Sequence, residues 1–307
     1  MATPIPFNKS FKPIYGVADR LSPLIRRVVA ENPGPFTFTG SGTYIVGHGS
    51  VAVIDPGPPI KEHVDAIMRA VEGETVSHIL VTHTHLDHSG GVAMLQEKCG
   101  AKTYGFGPHG SGRGKSIEGM DDVALEEGAD KTFAPDIRLA DMDQVTGSGW
   151  TLEAVHTPGH CSNHLCYALI EEDALFCGDH VMGWSTTVVA PPDGDMRAYM
   201  RSLDKLLMRD DKTFYPTHGA PIPEPMPFID ALIAHRHERE RQILDALKPG
   251  PAHIMDMVPA IYRDIPKFLY PAAGLSVLAH LIDMAERGLI KSDGPPRHDS
   301  LFALDTP

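Results

Sequence analysis

Four side chains that can bind a metal ion fall within six residues, at His83, His85, Asp87 and His88. They directly follow the apolar segment 77–82, so the pattern predicts a loop at the end of a strand. Two imidazoles spaced by one residue can reach one ion, while Asp87 and His88 can turn toward a second. Imidazole and carboxylate together suit zinc and related first-row ions. The alternative is a surface loop that is histidine-rich by chance, and further candidate ligands later in the chain disfavour it.

Three further candidate ligands, His160, Asp179 and His218, each stand just after a short apolar segment. A glycine lies directly beside each of them, which permits unusual backbone geometry and a close approach to an ion. One such junction would be weak evidence, but three of them after the first cluster indicate a single metal centre.

In this order the seven residues resemble the ligand set of the metallo-β-lactamase superfamily, HxHxDH followed by His, Asp and His. The resemblance implies ligands for two metal ions: for the first His83, His85 and His160, for the second Asp87, His88 and His218, and bridging both, Asp179. Because every ligand position is filled, two Zn²⁺ ions are expected, with iron or manganese as alternatives. The class B β-lactamases proper lack a bridging aspartate, so antibiotic hydrolysis is not favoured.

Within the superfamily, residues 40–46, 53–57 and 157–164 resemble the branch named for β-lactamase-like protein 2. Residues 235–244 and 274–281 resemble the C-terminal winged-helix extension of that branch. The resemblance covers nearly the whole chain except the first 30 or so residues. It implies an α/β fold, an αββα sandwich of the metallo-β-lactamase type followed by a small winged-helix-like domain.

The periodicity of apolar residues predicts the elements of these two domains, with a catalytic domain over 1–227 and a C-terminal domain over 228–307. Strands are predicted at 36–39, 43–47, 50–54, 77–82, 102–105, 131–140, 151–156, 165–170, 174–177, 213–215, 288–291 and 300–304. Helices are predicted at 60–73, 89–99, 228–246, 255–262 and 274–287. The Gly- and Ser-rich stretch 105–120 is expected to be a surface loop.

A centre with two divalent ions predicts hydrolysis by a metal-bridging hydroxide, with Asp87 both ligating and moving a proton to the leaving group. Three residues beside the candidate ligands, His164, Trp184 and Arg113, have two interpretations each. His164 would touch substrate or support a ligand from behind. Trp184 would form a wall of the pocket or be a buried core residue. Arg113 would meet an anionic substrate or be a solvated charge.

Composition limits the function further. The net charge of −13 argues against strong binding to nucleic acid, which favours a basic surface. Four cysteines without a CxxC pair indicate reduced thiols and a cytoplasmic location. No secretory signal and no apolar run of about 20 residues is evident, so no membrane association is expected.

The sequence alone leaves three functions open. The favoured one is a hydrolase of a small ester or thioester, in which the winged-helix domain closes the pocket or forms a homo-oligomer. The second is an endoribonuclease or phosphodiesterase specific for single strands, as the branch resemblance implies. The third is a metal-binding protein without catalysis, which the complete ligand set disfavours.

Overall fold

Two mixed β-sheets stack face to face in the computed structural model, which describes residues 4–114 and 128–305. Within those residues the first sheet has seven strands in chain order: β1 (Asp19–Arg20), β2 (Ile25–Val29), β3 (Gly42–Val46), β4 (Ser50–Ile54), β5 (Thr75–Leu80), β6 (Lys102–Gly105) and β7 (Ile137–Arg138). The second has five described strands, in the spatial order β12-β11-β10-β9-β8: β8 (Gln144–Gly147), β9 (Trp150–His156), β10 (Leu165–Leu169), β11 (Ala174–Gly178) and β12 (Thr213–Pro216).

The inner strands are apolar on both faces because both faces are buried. In β3, Tyr44 and Val46 point into the core between the two sheets, whereas Ile45 points to the opposite side. Tyr44 packs on Phe176 of β11 with ring centroids 5.0 Å apart. A strand buried on both sides needs a continuous apolar run rather than alternation, which is the sequence pattern of β3 and β4.

Helices cover the outer face of each sheet. Helices α1 (Lys61–Ala70) and α3 (Val92–Cys99) pack on the first sheet through Val64, Ile67 and Leu95. Helix α4 (Met196–Leu207) and the first half of α5 (Pro225–Leu247) pack on the second. The layers are therefore helix, sheet, sheet, helix, which confirms the predicted αββα sandwich.

A separate apolar cluster joins the C-terminal elements: the second half of α5, then α6 (Ile254–Ile261), α7 (Tyr270–Glu286), β13 (Ile290–Ser292) and β14 (Phe302–Leu304). Strands β13 and β14 pair antiparallel as a hairpin. Helix α5 belongs to both parts, because Phe228 and Leu232 pack on the second sheet while Ile243 and Leu247 enter the C-terminal cluster. The predicted boundary at 227/228 falls in this continuous helix and stays a prediction.

One helical segment of the described chain, Lys267–Glu286, is long and apolar enough to cross a membrane by length and composition alone. Over half of its most apolar stretch, 56%, is buried inside the protein. A core helix of a globular unit gives the same signal, since its apolar side chains contact other protein elements.

Several element predictions were wrong. Residues 36–39 form a turn in which Phe38 has a positive φ of 56°, and 131–140 contains only the two-residue strand β7. Strands β1, β2 and β8 and helix α4 were missed, although Met196, Tyr199, Leu203 and Leu206 have helical spacing. The short helix α2 (Leu86–Ser89) interrupts the predicted histidine loop. Residues 115–120 of the predicted loop lie outside the described residues.

Candidate metal centre

The seven predicted ligands lie at the ends of strands from both sheets. The histidine run follows β5, His160 follows β9, Asp179 follows β11 directly, and His218 follows β12. Strands β11 and β12 pair in parallel, with Gly178 opposite Pro216, so their carboxyl ends present Asp179 and His218 side by side. Strand topology thus brings together residues that are far apart in the chain.

Three imidazoles form the first ligand group. The Nε2 atoms of His83 and His160 lie 3.0 and 3.2 Å from Nδ1 of His85. A single ion would contact all three nitrogens, because ligand atoms around one small cation are separated by this distance. The structure therefore brings together the group that the resemblance assigned to the first metal.

Asp87, His88 and His218 form the second group. Nε2 of His218 lies 3.2 Å from Oδ2 of Asp87, and Nε2 of His88 lies 3.4 Å from the same oxygen. Asp179 stands between the groups: its Oδ2 is 3.4 Å from Nε2 of His218 and 3.9 Å from Nε2 of His160. This position suits the bridging role predicted for it.

Several donor atoms of this centre lack the hydrogen bonds that buried polar atoms normally form, and metal ions would supply the missing contacts. Oδ1 of Asp87, Oδ1 of Asp179 and Nε2 of both His88 and His218 are buried and have no hydrogen-bond partner among the described residues. Buried polar atoms without partners are rare and costly, about 1–3 kcal/mol each. Four such atoms on neighbouring candidate ligands fit a site that cations complete.

The electrostatics of the two groups differ. Burial lowers the pKa of His85 to about 3, so this imidazole is neutral and its lone pair is free for an ion. Burial also acts to lower the pKa of His218, but the Asp179 and Asp87 carboxylates outweigh it and raise the pKa to about 10. Burial acts to raise the pKa of Asp87, yet His88 and His218 hold it at about 2. The second group therefore stabilises positive charge between its carboxylates.

Each histidine ligand is oriented by a bond to its other ring nitrogen. Nδ1 of His160 lies 2.6 Å from the Val188 carbonyl, and Nδ1 of His218 lies 3.3 Å from that of Gly40. Nε2 of His85 has a sulfur partner, the Cys161 thiol at 3.5 Å. Cys161 is one of the four cysteines predicted to be reduced thiols, and the sequence gave no signal for its place beside a ligand.

Asp55 is the most important residue that the sequence analysis did not assign. Its carboxylate accepts hydrogen bonds from the backbone N–H of Thr82 at 2.8 Å and from the Thr82 hydroxyl at 2.7 Å. It also lies 2.8 Å from Nδ1 of His88 and 3.3 Å from the Thr217 hydroxyl. It thereby joins the two strand ends that carry His83 and His218. The Asp-Pro-Gly turn after a buried strand was the signal that could have identified it.

His164 supports the site from behind. It is fully buried, its Nδ1 lies 2.9 Å from the Thr157 hydroxyl, and its Nε2 accepts a hydrogen bond from the backbone N–H of Asp179 at 3.2 Å. That bond requires the proton to be on Nδ1. This geometry fits the interpretation that His164 supports a ligand; that role and contact with substrate both stay predictions.

Trp184 lines one opening of the metal site, and Arg113 bonds two residues, His109 and Asp193, that line the other. Trp184 stacks on Phe38 with ring centroids 4.8 Å apart, and its role as a pocket wall stays a prediction. Nε of Arg113 donates to Asp193 at 2.8 Å, and its Nη2 lies 2.7 Å from Nε2 of His109. Its contact with an anionic substrate stays a prediction.

Comparison with known proteins identifies the class to which this fold and this site belong. Residues 37–218 match the metallo-β-lactamase superfamily, and residues 254–297 match the β-lactamase-associated winged-helix domain. The chain belongs to the metallo-β-lactamase superfamily and carries that winged-helix domain, which confirms the resemblance.

Individual relatives narrow the position within the superfamily. The chain is 33% identical over 285 residues to the β-lactamase-like protein 2 homolog of Drosophila melanogaster, covering 89% of this chain and 91% of that protein. It is 36% identical over 233 residues to a protein of Aspergillus aculeatus named atrochrysone carboxyl ACP thioesterase, covering 75% of this chain and 66% of the relative. A metallo-β-lactamase family protein of Thermus thermophilus shares the fold, with a TM-score of 0.75, 23% identity, and coverage of 93% of this chain and all of that one.

Proposed function

We propose that this protein is a dinuclear metal-dependent hydrolase that acts on a small ester or thioester. One observation carries the proposal: seven side chains from both sheets converge, and four of their buried donor atoms have no hydrogen-bond partner in the described part of the chain. The superfamily implies divalent ions, and we propose zinc because imidazoles and carboxylates make up the donor set.

Two divalent ions held by these groups would supply an acidified water and stabilise developing negative charge on the substrate. His83, His85 and His160 would hold the first ion, and His88 and His218 the second.

Asp87 has the additional task of moving a proton. Its Oδ2 accepts a hydrogen bond from the Ser41 hydroxyl at 3.0 Å, while its Oδ1 has no hydrogen-bond partner among the described residues. His88 and His218 lower its pKa, so it is a carboxylate at neutral pH, and Oδ1 would accept a proton from the attacking water. It would then pass that proton to the leaving group.

The residues that line the openings of the metal centre favour a substrate whose reacting group is small and uncharged. Two narrow openings, with cavity volumes of about 50 and 40 Å³, both reach His85 and His160. Apolar side chains such as Phe36, Trp184 and Val188 line them, and the described lining residues include no lysine or arginine. A polyanionic RNA backbone would be expected to need such cations. The uncharged carbonyl group of an ester or thioester would need no such cations.

The names of the relatives also support a thioester. Several of them, including the Aspergillus aculeatus protein, are named as thioesterases that act on an acyl carrier protein. We further propose a cytoplasmic location, which the four free cysteines support.

The first test combines metal content with substrate class. Plasma mass spectrometry on the purified chain should find about two zinc ions, and the wild type should hydrolyse members of a thioester or ester panel. Asp87→Ala should lower turnover by about 10²-fold or more. Asp130→Asn is a suitable control, since this buried carboxylate accepts hydrogen bonds from Ser89 and Thr132 but is no ligand. It should retain both metals and most activity.

Other outcomes would redirect the proposal. Cleavage of labelled single-stranded RNA alone, dependent on metal and on Asp87, would place the protein among nucleases instead. Fewer than one metal ion per chain, together with no activity on any substrate, would overturn the dinuclear hydrolase and leave a non-catalytic protein.

A further inference from the structure

A groove between helices α4, α5 and α7 contains none of the seven predicted metal ligands. It lies where the catalytic part of the chain meets the winged-helix part, and its volume is about 320 Å³. That volume is enough for a phosphate group and part of the molecule that carries it. Four arginines line the groove: Arg197, Arg201, Arg236 and Arg287.

Two of these arginines are neutralised by neighbouring acids. Arg197 donates from Nε to Asp283 at 2.7 Å, and Arg287 donates from Nε to the other oxygen of Asp283 at 3.0 Å. Arg287 also pairs with Glu240 through Nη2. These contacts tie α7 to α4 and α5. Asp204 is a third acid in the lining, but it forms no ion pair with Arg201 or Arg236, the remaining two arginines, in the described part of the chain.

Arg236 is a buried cation with no counter-ion among the described residues. Its side chain is only 3% exposed, and its guanidinium stacks over the Tyr199 ring at 5.0 Å and donates from Nη2 to the carbonyl of Thr187. Its Nε is buried and has no hydrogen-bond partner in residues 4–114 and 128–305. No carboxylate of the described residues lies within ion-pair distance of it. A desolvated, unpaired charge is strongly unfavourable unless an anion completes it.

His280 offers a second unused donor on the floor of the same groove. It is 3% exposed, and its Nε2 is buried and has no hydrogen-bond partner within the part of the chain that the structure describes. Burial and the charge of Arg236 hold its pKa well below the ordinary value, so the ring is neutral and can donate one N–H. Arg201, on α4, is exposed at the rim and forms no ion pair with another described residue.

We propose that this groove binds a phosphate group, with Nε of Arg236 and Nε2 of His280 as donors on the floor and Arg201 at the rim. The three side chains come from three helices, so they approach a ligand from different directions. A tetrahedral oxyanion can accept all of these donors at once, and guanidinium groups match its geometry. The site is independent of the proposed hydrolysis, because it shares no residue with the metal centre.

Location is tested by soaking crystals of the metal-loaded protein in tungstate, a phosphate analogue with a strong anomalous signal. We expect an anomalous peak within hydrogen-bond distance of Nε of Arg236. Peaks at the metal centre alone, or no peak, would overturn the proposal.

Affinity is tested by calorimetric titration of inorganic phosphate into the same protein. Arg236→Gln can fail to fold, so the principal variant is Arg201→Gln, which changes an exposed side chain. Its affinity should fall by about threefold or more. Arg20→Gln, an exposed arginine outside the groove, should bind as the wild type does. Phosphate held by the metals contributes equally in all three proteins, so equal affinities would count against the site.

A second titration, with 4′-phosphopantetheine, distinguishes an organic phosphate ester from inorganic phosphate as the ligand. Tighter binding than that of inorganic phosphate, lost in Arg201→Gln, would support the proposal and identify an organic phosphate ester as the ligand. Equal or weaker binding, still sensitive to Arg201→Gln, would support it with inorganic phosphate as the ligand.

Discussion

Replacing Asp55 by asparagine should impair metal binding more than it impairs folding. The carboxylate accepts at Oδ1 from the Thr82 N–H and at Oδ2 from the Thr82 hydroxyl and from Nδ1 of His88. An amide has only one acceptor oxygen. If that oxygen stays with the Thr82 N–H, the amide NH₂ faces His88 and forces Nδ1 to accept. The imidazole proton then moves to Nε2, the atom that should bind the metal.

The size of the expected losses in metal affinity and in stability follows from these contacts. Loss of an orienting partner lowers metal affinity by about 10- to 100-fold, and here the loss should be confined to the second ion. If the amide instead turns its oxygen toward His88, its NH₂ opposes the Thr82 N–H. That buried clash of donors should lower the free energy of unfolding by about 1–3 kcal/mol. In both cases the first ion, at His83, His85 and His160, should be held as tightly as in the wild type.

The assay is a titration of the metal-free protein in zinc buffers of known free concentration, followed by metal analysis and by urea unfolding. Asp136→Asn is the matched control, because that carboxylate accepts from the N–H and hydroxyl of Thr103 at 2.8 and 3.0 Å but contacts no ligand. Asp55→Asn holding two ions at the same free zinc as the wild type would refute the reasoning.

Two further predictions concern stability. Gly159→Ala should lower the melting temperature sharply and cost about 3 kcal/mol or more, because a Cβ there would lie 2.3 Å from Cα of Tyr199 at a φ of +142°; an unchanged melting temperature would contradict this close approach. Burial lowers the pKa of His63 from 6.5 to about 4, and its Nε2 bonds the Thr43 hydroxyl at 2.8 Å. Below pH 6.5 the unfolded chain takes up a proton that the folded chain refuses until about pH 4. The free energy of unfolding should therefore fall by about 3 kcal/mol as the pH falls through that window. Urea unfolding of the wild type and of His63→Phe between pH 7 and 4 tests this, and equal slopes for the two proteins would exclude His63 as the cause.

Much of the candidate centre could be predicted from the sequence because its signals are local. His83 to His88 follow one strand within six residues, and His160, Asp179 and His218 each follow a strand beside a glycine. The order of these residues resembled that of one superfamily, and the comparisons confirmed the family. Long amphipathic segments were predicted for the same reason, since the spacing of apolar residues in α1, α5 and α7 reports which face is buried.

The failures also have a physical cause. Residues 36–39 alternate like a strand, yet a positive φ at Phe38 makes a turn that local composition does not require. Short edge strands such as β1 and β7 exist because a neighbouring strand offers hydrogen bonds, and two residues carry no periodicity of their own. Whether a short segment forms a strand therefore depends on the neighbouring strand as much as on its own residues.

The sequence by itself determined the class of fold and predicted the metal ligands, because both inferences rest on residue types in an ordered set along the chain. Only the tertiary structure decided what holds and surrounds them. Asp55 meets His88 and Thr217, which are 33 and 162 positions away, and Arg236 reaches Thr187 across 49. Such contacts depend on the order of strands and the packing of layers, and no pattern within one segment records where another segment will lie.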